Sequence, residues 1–288
     1  MYNLRYHIAS LVAVFLALTI GLLLGTVVAE RGTITEQGSA LAEGLQRRFD
    51  EISATNEELR LGLERDRAFA EELAPALTEG VLAERDVVVV VGTGRVDGLN
   101  AVNAALTQAG ASPFVTSLES PGLELDTSAP EGLVGYFSAR GEEMADPGSA
   151  LVEQVAEALV AEWRDAGPRP LTALLVEAGL VGVEGLEETA TVDAIVIMAA
   201  DGEDADPFAL ALGHALTDAG GIAVGAEADS SDADVAASCA GEGFSAVGHM
   251  GTVQGRFSLV WLLAGRAEGV FGTKDAAEGF YPPVVPAD

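Results

Sequence analysis

Residues 8–29 contain no charged side chain, and a stretch of twenty-two such residues constrains the chain more than any other feature. At about 1.5 Å per residue, a helix of that length crosses the roughly 30 Å hydrocarbon layer of a bilayer. A surface helix of a soluble domain would carry a polar stripe, and here polar side chains such as Ser10 and Thr19 are isolated. A cleaved leader has a shorter apolar stretch, about 7–15 residues, and Val27-Val28-Ala29 would be a weak cleavage site. The expectation is an uncleaved anchor over residues 1–32. Arg5 precedes the span, and the short arm before it lacks acids. That bias favours an N-terminus in the cytoplasm and the remainder of the chain outside it.

Small residues recur every fourth position through the span: Ala9, Ala13, Ala17, Gly21, Gly25 and Ala29. Such a ridge lets two helix backbones approach closely. The next segment suggests pairing as well. Over residues 33–75 an apolar heptad places Ala42, Phe49, Asn56, Leu63 and Ala70 at a, with Leu45, Ile52, Leu59, Asp66 and Leu73 at d. That spacing predicts a coiled-coil stalk, and Asn56 at an a position favours two parallel strands. The stalk arginines Arg47, Arg48, Arg60, Arg65 and Arg67 stand among many glutamates and read as helix-surface ion pairs. Pro75 is expected to end the helix. The predicted dimer seam is therefore Ala13, Ala17, Gly21, Gly25, Leu45, Phe49, Ile52, Asn56 and Leu59.

Formal net charge is −30, and Lys274 is the only lysine. This charge repels phosphate backbones and argues against nucleic acid as a partner. Cys239 is the only cysteine, so no disulfide forms within the chain. The fold must then rest on its apolar core.

Residues 81–288 change pattern to alternating strands and helices. The unbroken β-branched run at 86–91 suits a strand buried on both faces. A helix over 99–109 and a strand over 112–117 follow. Residues 119–131 and 140–150 read as loops, 151–166 and 171–180 as helices, and 194–199, 207–219 and 222–226 as strand, helix and strand. Residues 245–249 add a strand, 254–266 a covering helix, and the proline-rich tail an extended end. The run Ala105-Leu106-Thr107-Gln108-Ala109-Gly110 matches Ala215-Leu216-Thr217-Asp218-Ala219-Gly220. The expected fold is α/β: a Rossmann-like parallel sheet made of two related β-α-β halves.

Candidate chemistry is sparse. Gly92-Thr93-Gly94-Arg95-Val96-Asp97-Gly98 follows a strand and precedes a helix, the context of a phosphate loop, but its glycine spacing is one residue too long for the dinucleotide fingerprint. A structural strand-to-helix turn is the expected role. Soft-metal ligands are few, and only Cys239, His249 and Met250 cluster in sequence. They form the candidate metal set. Asp201, Glu203, Asp204 and Asp206 lack EF-hand spacing and read as a solvated loop. Ser230, Ser231 and Ser238 show no nucleophile elbow, so a non-enzymatic protein is expected.

The opening segment Tyr2 to Gly21, with its core R-x-H-x-x-S-L-x-A-V-F-L-A-L-x-x-G over Arg5 to Gly21, resembles the start of the actinobacterial MctB copper transporter family. The likeness continues through the stalk and α/β domain to Gly255-Arg256-Phe257-Ser258-Leu259-Val260-Trp261-Leu262-Leu263 and Gly269-Val270-Phe271-Gly272. It implies a membrane protein of copper homeostasis at the cell envelope, with copper as the ion concerned. Family roles also include partnership with an envelope protein in cell separation, where a coiled coil regulates peptidoglycan hydrolases. Two readings therefore stand: a copper transport protein, or a non-catalytic envelope scaffold. This chain has Ser245-Ala246-Val247-Gly248-His249-Met250 where relatives tend to read S-T-V-D.

Overall fold

A computed structural model describes residues 4–94, 96–125, 127–200, 202–228, 234–274 and 277–283. Side chains of residues 4–6 and 29–40 are not among those described, so Arg5 and Ala29 fall outside, as do Arg95, Asp201, Ser230, Ser231 and Pro286. The chain divides into two compact units, Met1–Arg67 and Ala68–Asp288.

The first unit is a single helix, part of α1 (Leu4–Thr78). Within it, His7–Val28 is long and apolar enough to cross a membrane, and none of that window is buried by protein. One continuous helix places Ala13, Ala17, Gly21 and Gly25 on a common face, with open space beside both glycines. Leu45, Phe49, Ile52, Asn56 and Leu59 are likewise exposed. Arg60 bonds Glu57 and Glu64 of its own helix, each at 2.7 Å. This is pairing at i−3 and i+4 on one exposed surface.

Contrary to expectation, Pro75 does not end α1. A proline removes only its own N–H bond and crowds the preceding turn, and Pro75 stands one turn from the end. The helix runs on to Thr78, whose hydroxyl donates to the Ala74 carbonyl at 2.9 Å. The turns from Ala68 onward belong to the second unit.

That unit is a seven-stranded sheet. In chain order its elements are β1 (Asp86–Val91), α2 (Leu99–Gln108), β2 (Ser112–Leu118), α3 (Leu133–Ala139), α4 (Ser149–Arg164), α5 (Pro170–Glu177), β3 (Val181–Glu184), β4 (Val192–Met198), α6 (Pro207–Asp218), β5 (Ile222–Ala226), α7 (Val235–Gly241), β6 (Ser245–Gly248), α8 (Val253–Leu263) and β7 (Val270–Gly272). Strand order is β3-β2-β1-β4-β5-β6-β7. All pairs are parallel except β2 with β3. The expectation of a parallel sheet therefore needs one correction, an antiparallel edge strand.

Burial explains the strands. Side chains alternate faces along a strand. Val88 and Val90 enter one core with Ile195 and Ile197, and Val87, Val89 and Val91 enter the other with Ala194, Val196 and Met198. Helices α4, α6 and α7 cover the first face, while α2 and α8 cover the second. Each buried Val or Leu contributes about 1.5–3 kcal/mol, so both cores are needed to hold a sheet with no disulfide.

The two sequence repeats occupy matching places. β1-α2-β2 and β4-α6-β5 lie either side of the β1–β4 junction. Gly110 and Gly220 stop their helices with φ of 87° and 83°. Ala111 N–H bonds the Leu106 carbonyl, as Gly221 N–H bonds that of Leu216. The same C-terminal cap is built twice.

Crossovers β1-α2-β2, β4-α6-β5 and β5-α7-β6 share one hand, since reversing direction along the sheet also switches face. The β6-α8-β7 crossover moves the same way as β5-α7-β6 yet lies on the α2 face. It therefore has the opposite, left hand, a rare connection between parallel strands. Gly255 makes it feasible. A Cβ there would collide with the His249 carbonyl oxygen, so only glycine lets α8 turn back this closely beneath β6. α8 is the covering helix expected, and it is buried on nearly every side, Ser258 included.

Candidate functional site

The predicted metal ligands do not gather. Cys239 lies on α7, as does Ser238. Its sulfur tucks beneath Gly225 of β5, where a Cβ would come within 2.6 Å of it. Cys239 belongs to the core on one face of the sheet, whereas Met250 belongs to the core on the other. His249 is fully buried after β6, its ring 4.7 Å from that of Phe280. Burial first, then the charges of Glu227 and Glu242, push the Cys239 thiol up to about 12. A thiol must lose its proton to serve as a good soft-metal ligand. Among the described residues, no group of three or more His, Cys, Asp and Glu side chains stands close enough to hold a metal ion.

The glycine loop after β1 serves close passage between strand ends. Gly92 N–H donates to the Met198 carbonyl at 3.1 Å. Gly98 caps α2 in the left-handed region, with φ of 89°. A side chain there would meet Ala228 at 3.4 Å. Among the acids, Asp206 is committed to structure. One oxygen accepts from Phe208 N–H at 2.7 Å and caps α6, and the other accepts from Gly122 N–H at 2.9 Å.

A polar cluster missed by the sequence reading lies at the C-terminal ends of β5, β6 and β7. Glu227 follows β5 and is only 3% exposed. Its N–H donates to the Val247 carbonyl, and its own carbonyl accepts from Met250 N–H. Lys274, just beyond β7, brings Nζ to 2.7 Å from Oε1 of Glu227. The second carboxylate oxygen accepts from Ala236 N–H at the start of α7. Glycines at the strand ends make room: a Cβ on Gly248 would approach Glu227 Oε1 to 3.2 Å, and one on Gly272 would meet the Gly248 backbone.

This is the end of the sheet at which open α/β folds bind ligands. A buried carboxylate is costly unless paired and hydrogen-bonded, so the single lysine of a strongly acidic chain meets a specific electrostatic need. That lysine was the only signal in the sequence. Glu227, one acid among 45 acidic residues, carried none. Glu227, Lys274 and His249 form the candidate site. They set a buried carboxylate and a buried imidazole beside a partly exposed ammonium.

The family model described as copper transport outer membrane protein, MctB, matches residues 1–282. No curated protein and no solved structure matches the chain.

Proposed function

This chain belongs to the MctB family, and from that premise we propose that it is a membrane-anchored protein of copper transport and homeostasis at the cell envelope. The observation that carries the reading is the span of the match, which runs from the apolar helix through nearly all of the sheet domain. In this reading His7–Val28 lies in the bilayer, the N-terminus faces the cytoplasm, and the sheet domain acts outside it without catalysis. The sheet is open, with β3 and β7 at its edges and helices over both faces. A membrane barrel is closed and presents alternate residues to lipid, so a pore made by this sheet forms no part of the proposal.

The test is copper content. Cells lacking the chain should accumulate copper and lose tolerance to it. The full chain should restore both, and a form without residues 1–32 should not. Unchanged copper content in the deletion strain would overturn the copper role.

A second reading, an envelope scaffold, is favoured by one observation. Leu45, Phe49, Ile52, Leu59 and Leu63 present large apolar side chains to solvent along α1. We propose that this stripe, with Asn56, pairs with a second copy as a parallel coiled coil. The ridge of Ala13, Ala17, Gly21 and Gly25 would continue the contact through the membrane. Photo-crosslinking from position 49 separates the readings. Self-dimers alone support the paired anchor, and an additional envelope protein supports the scaffold.

A further inference from the structure

After β7 the chain folds back on itself. Gly272 N–H donates to the Gly279 carbonyl at 2.9 Å, and Glu278 N–H donates to that of Val270 at 2.8 Å. Gly279 forms a bridge with Phe271. Phe280 then lies against His249, and Lys274 reaches Glu227. The pairing covers edge strand β7, whose backbone would otherwise be open to another chain.

These contacts differ in kind. The two backbone bonds tie the segment to its own strand. The ion pair and the ring contact tie it to residues following β5 and β6, which are brought in from elsewhere in the fold. We propose that residues 277–282 are a strap over the ends of β6 and β7, latched by Lys274 on Glu227, and that release of the latch uncovers Glu227 and His249 while the sheet stays folded. The proposal stands independently of the copper role.

Three features fit a latch better than a merely structural pair. Glu227 is almost wholly buried while Lys274 retains about a third of its side-chain exposure, so the lysine is the half able to leave. β7 has three residues, against six in β1, so little sheet is lost when this end opens. Opening free energies vary across a fold, and short edge elements stand at the low end. The uncovered residues lie at the strand ends where ligands of such sheets bind.

The sole lysine makes the latch directly measurable. In the full-length protein in detergent, an amine-reactive reagent should modify Lys274 at least tenfold more slowly than in the denatured chain. Glu227→Gln should speed that modification several-fold. Hydrogen exchange should rise over residues 277–282 in this variant and in Lys274→Met, and remain unchanged in β1. The double variant should exchange more slowly over the strap than Lys274→Met alone, since no buried charge is left unpaired. Modification at the denatured rate in the unmodified protein would overturn the proposal. So would exchange that rises equally in β1 and the strap in both single variants, because the pair would then be holding the whole sheet.

Discussion

Val88 and Val90 of β1 are fully buried, whereas Leu45, Phe49 and Ile52 of α1 are 60–67% exposed. Both regions are rich in large apolar side chains. In the sheet, the period of two sends alternate residues into two cores, and helices from the same chain close over each. In the first unit, a period near 3.6 or 3.5 gathers apolar groups on a helix, and among the described residues of that unit no other element covers them. Backbone hydrogen bonds in a helix are satisfied within the segment, so the helix exists without tertiary contacts, but its apolar surface does not become less costly in water. The sheet domain satisfies its own hydrophobic demand. In the proposed reading the long helix takes a different medium over His7–Val28 and a second helix further along.

The strongest challenge to this contrast is to damage the self-contained half. Trp163 is 1% exposed, donates its indole N–H to Thr172 at 3.1 Å and meets Phe114 edge-on at 5.8 Å. Trp163→Ala should cost about 3–5 kcal/mol, read from denaturant unfolding of the full chain by circular dichroism. A loss under about 1 kcal/mol would mean that this core is loosely filled. Next in size, Leu16→Arg places a charge near the middle of the apolar span and should cost about 3 kcal/mol of insertion. Alkaline extraction of membranes should then release much of the variant, with the unfolding of the sheet domain unaltered. Full retention would show that the span is not what holds the protein there.

A smaller effect comes from Cys239, whose ordinary value of 9.0 is raised to about 12. Below pH 9 the thiol keeps its proton in both states and stability is insensitive to it. Between pH 9 and about 12 the unfolded chain releases the proton first, so stability falls by up to about 1.4 kcal/mol per pH unit. At pH 10 the unmodified chain should have lost about 1.4 kcal/mol more, relative to pH 8, than Cys239→Ala. Equal losses would place the thiol in a less enclosed setting.

The regular parts of the sheet were legible because their causes are local. Five consecutive valines mark β1, and the repeated Ala-Leu-Thr-x-Ala-Gly marks the ends of α2 and α6. The short elements α3, β3, α7 and β7 were missed because they have too few residues to show a period. They form where tertiary packing completes them, as Cys239 does beneath Gly225. The left-handed crossover at α8 was invisible for a related reason: Gly255 has meaning only once the His249 carbonyl stands against it. The candidate site was half legible. Lys274 stood out by its rarity, but pairing it with Glu227 requires strands β5 and β7 to be brought to the same end of the sheet.

The smallest expected effect is the most informative about the exposed half. Phe49→Ala and Leu59→Ala remove large side chains that stand exposed on α1. Substitutions on an uncovered surface usually shift stability by no more than about 0.5 kcal/mol, so unfolding of the sheet domain should be unchanged in the double variant. A knob at an a or d position acts only when a facing helix supplies the hole. Self-association of the full chain in detergent, measured by sedimentation equilibrium, should therefore weaken by an order of magnitude or more, with the Ala-Gly ridge of the span left to hold what remains. Asn56→Leu is the complementary change. It removes the polar residue that fixes register and should tighten association while broadening the choice of partner number. If both variants associate like the unmodified chain, the stripe does not face a second copy, and crosslinks from position 49 should then report a different protein.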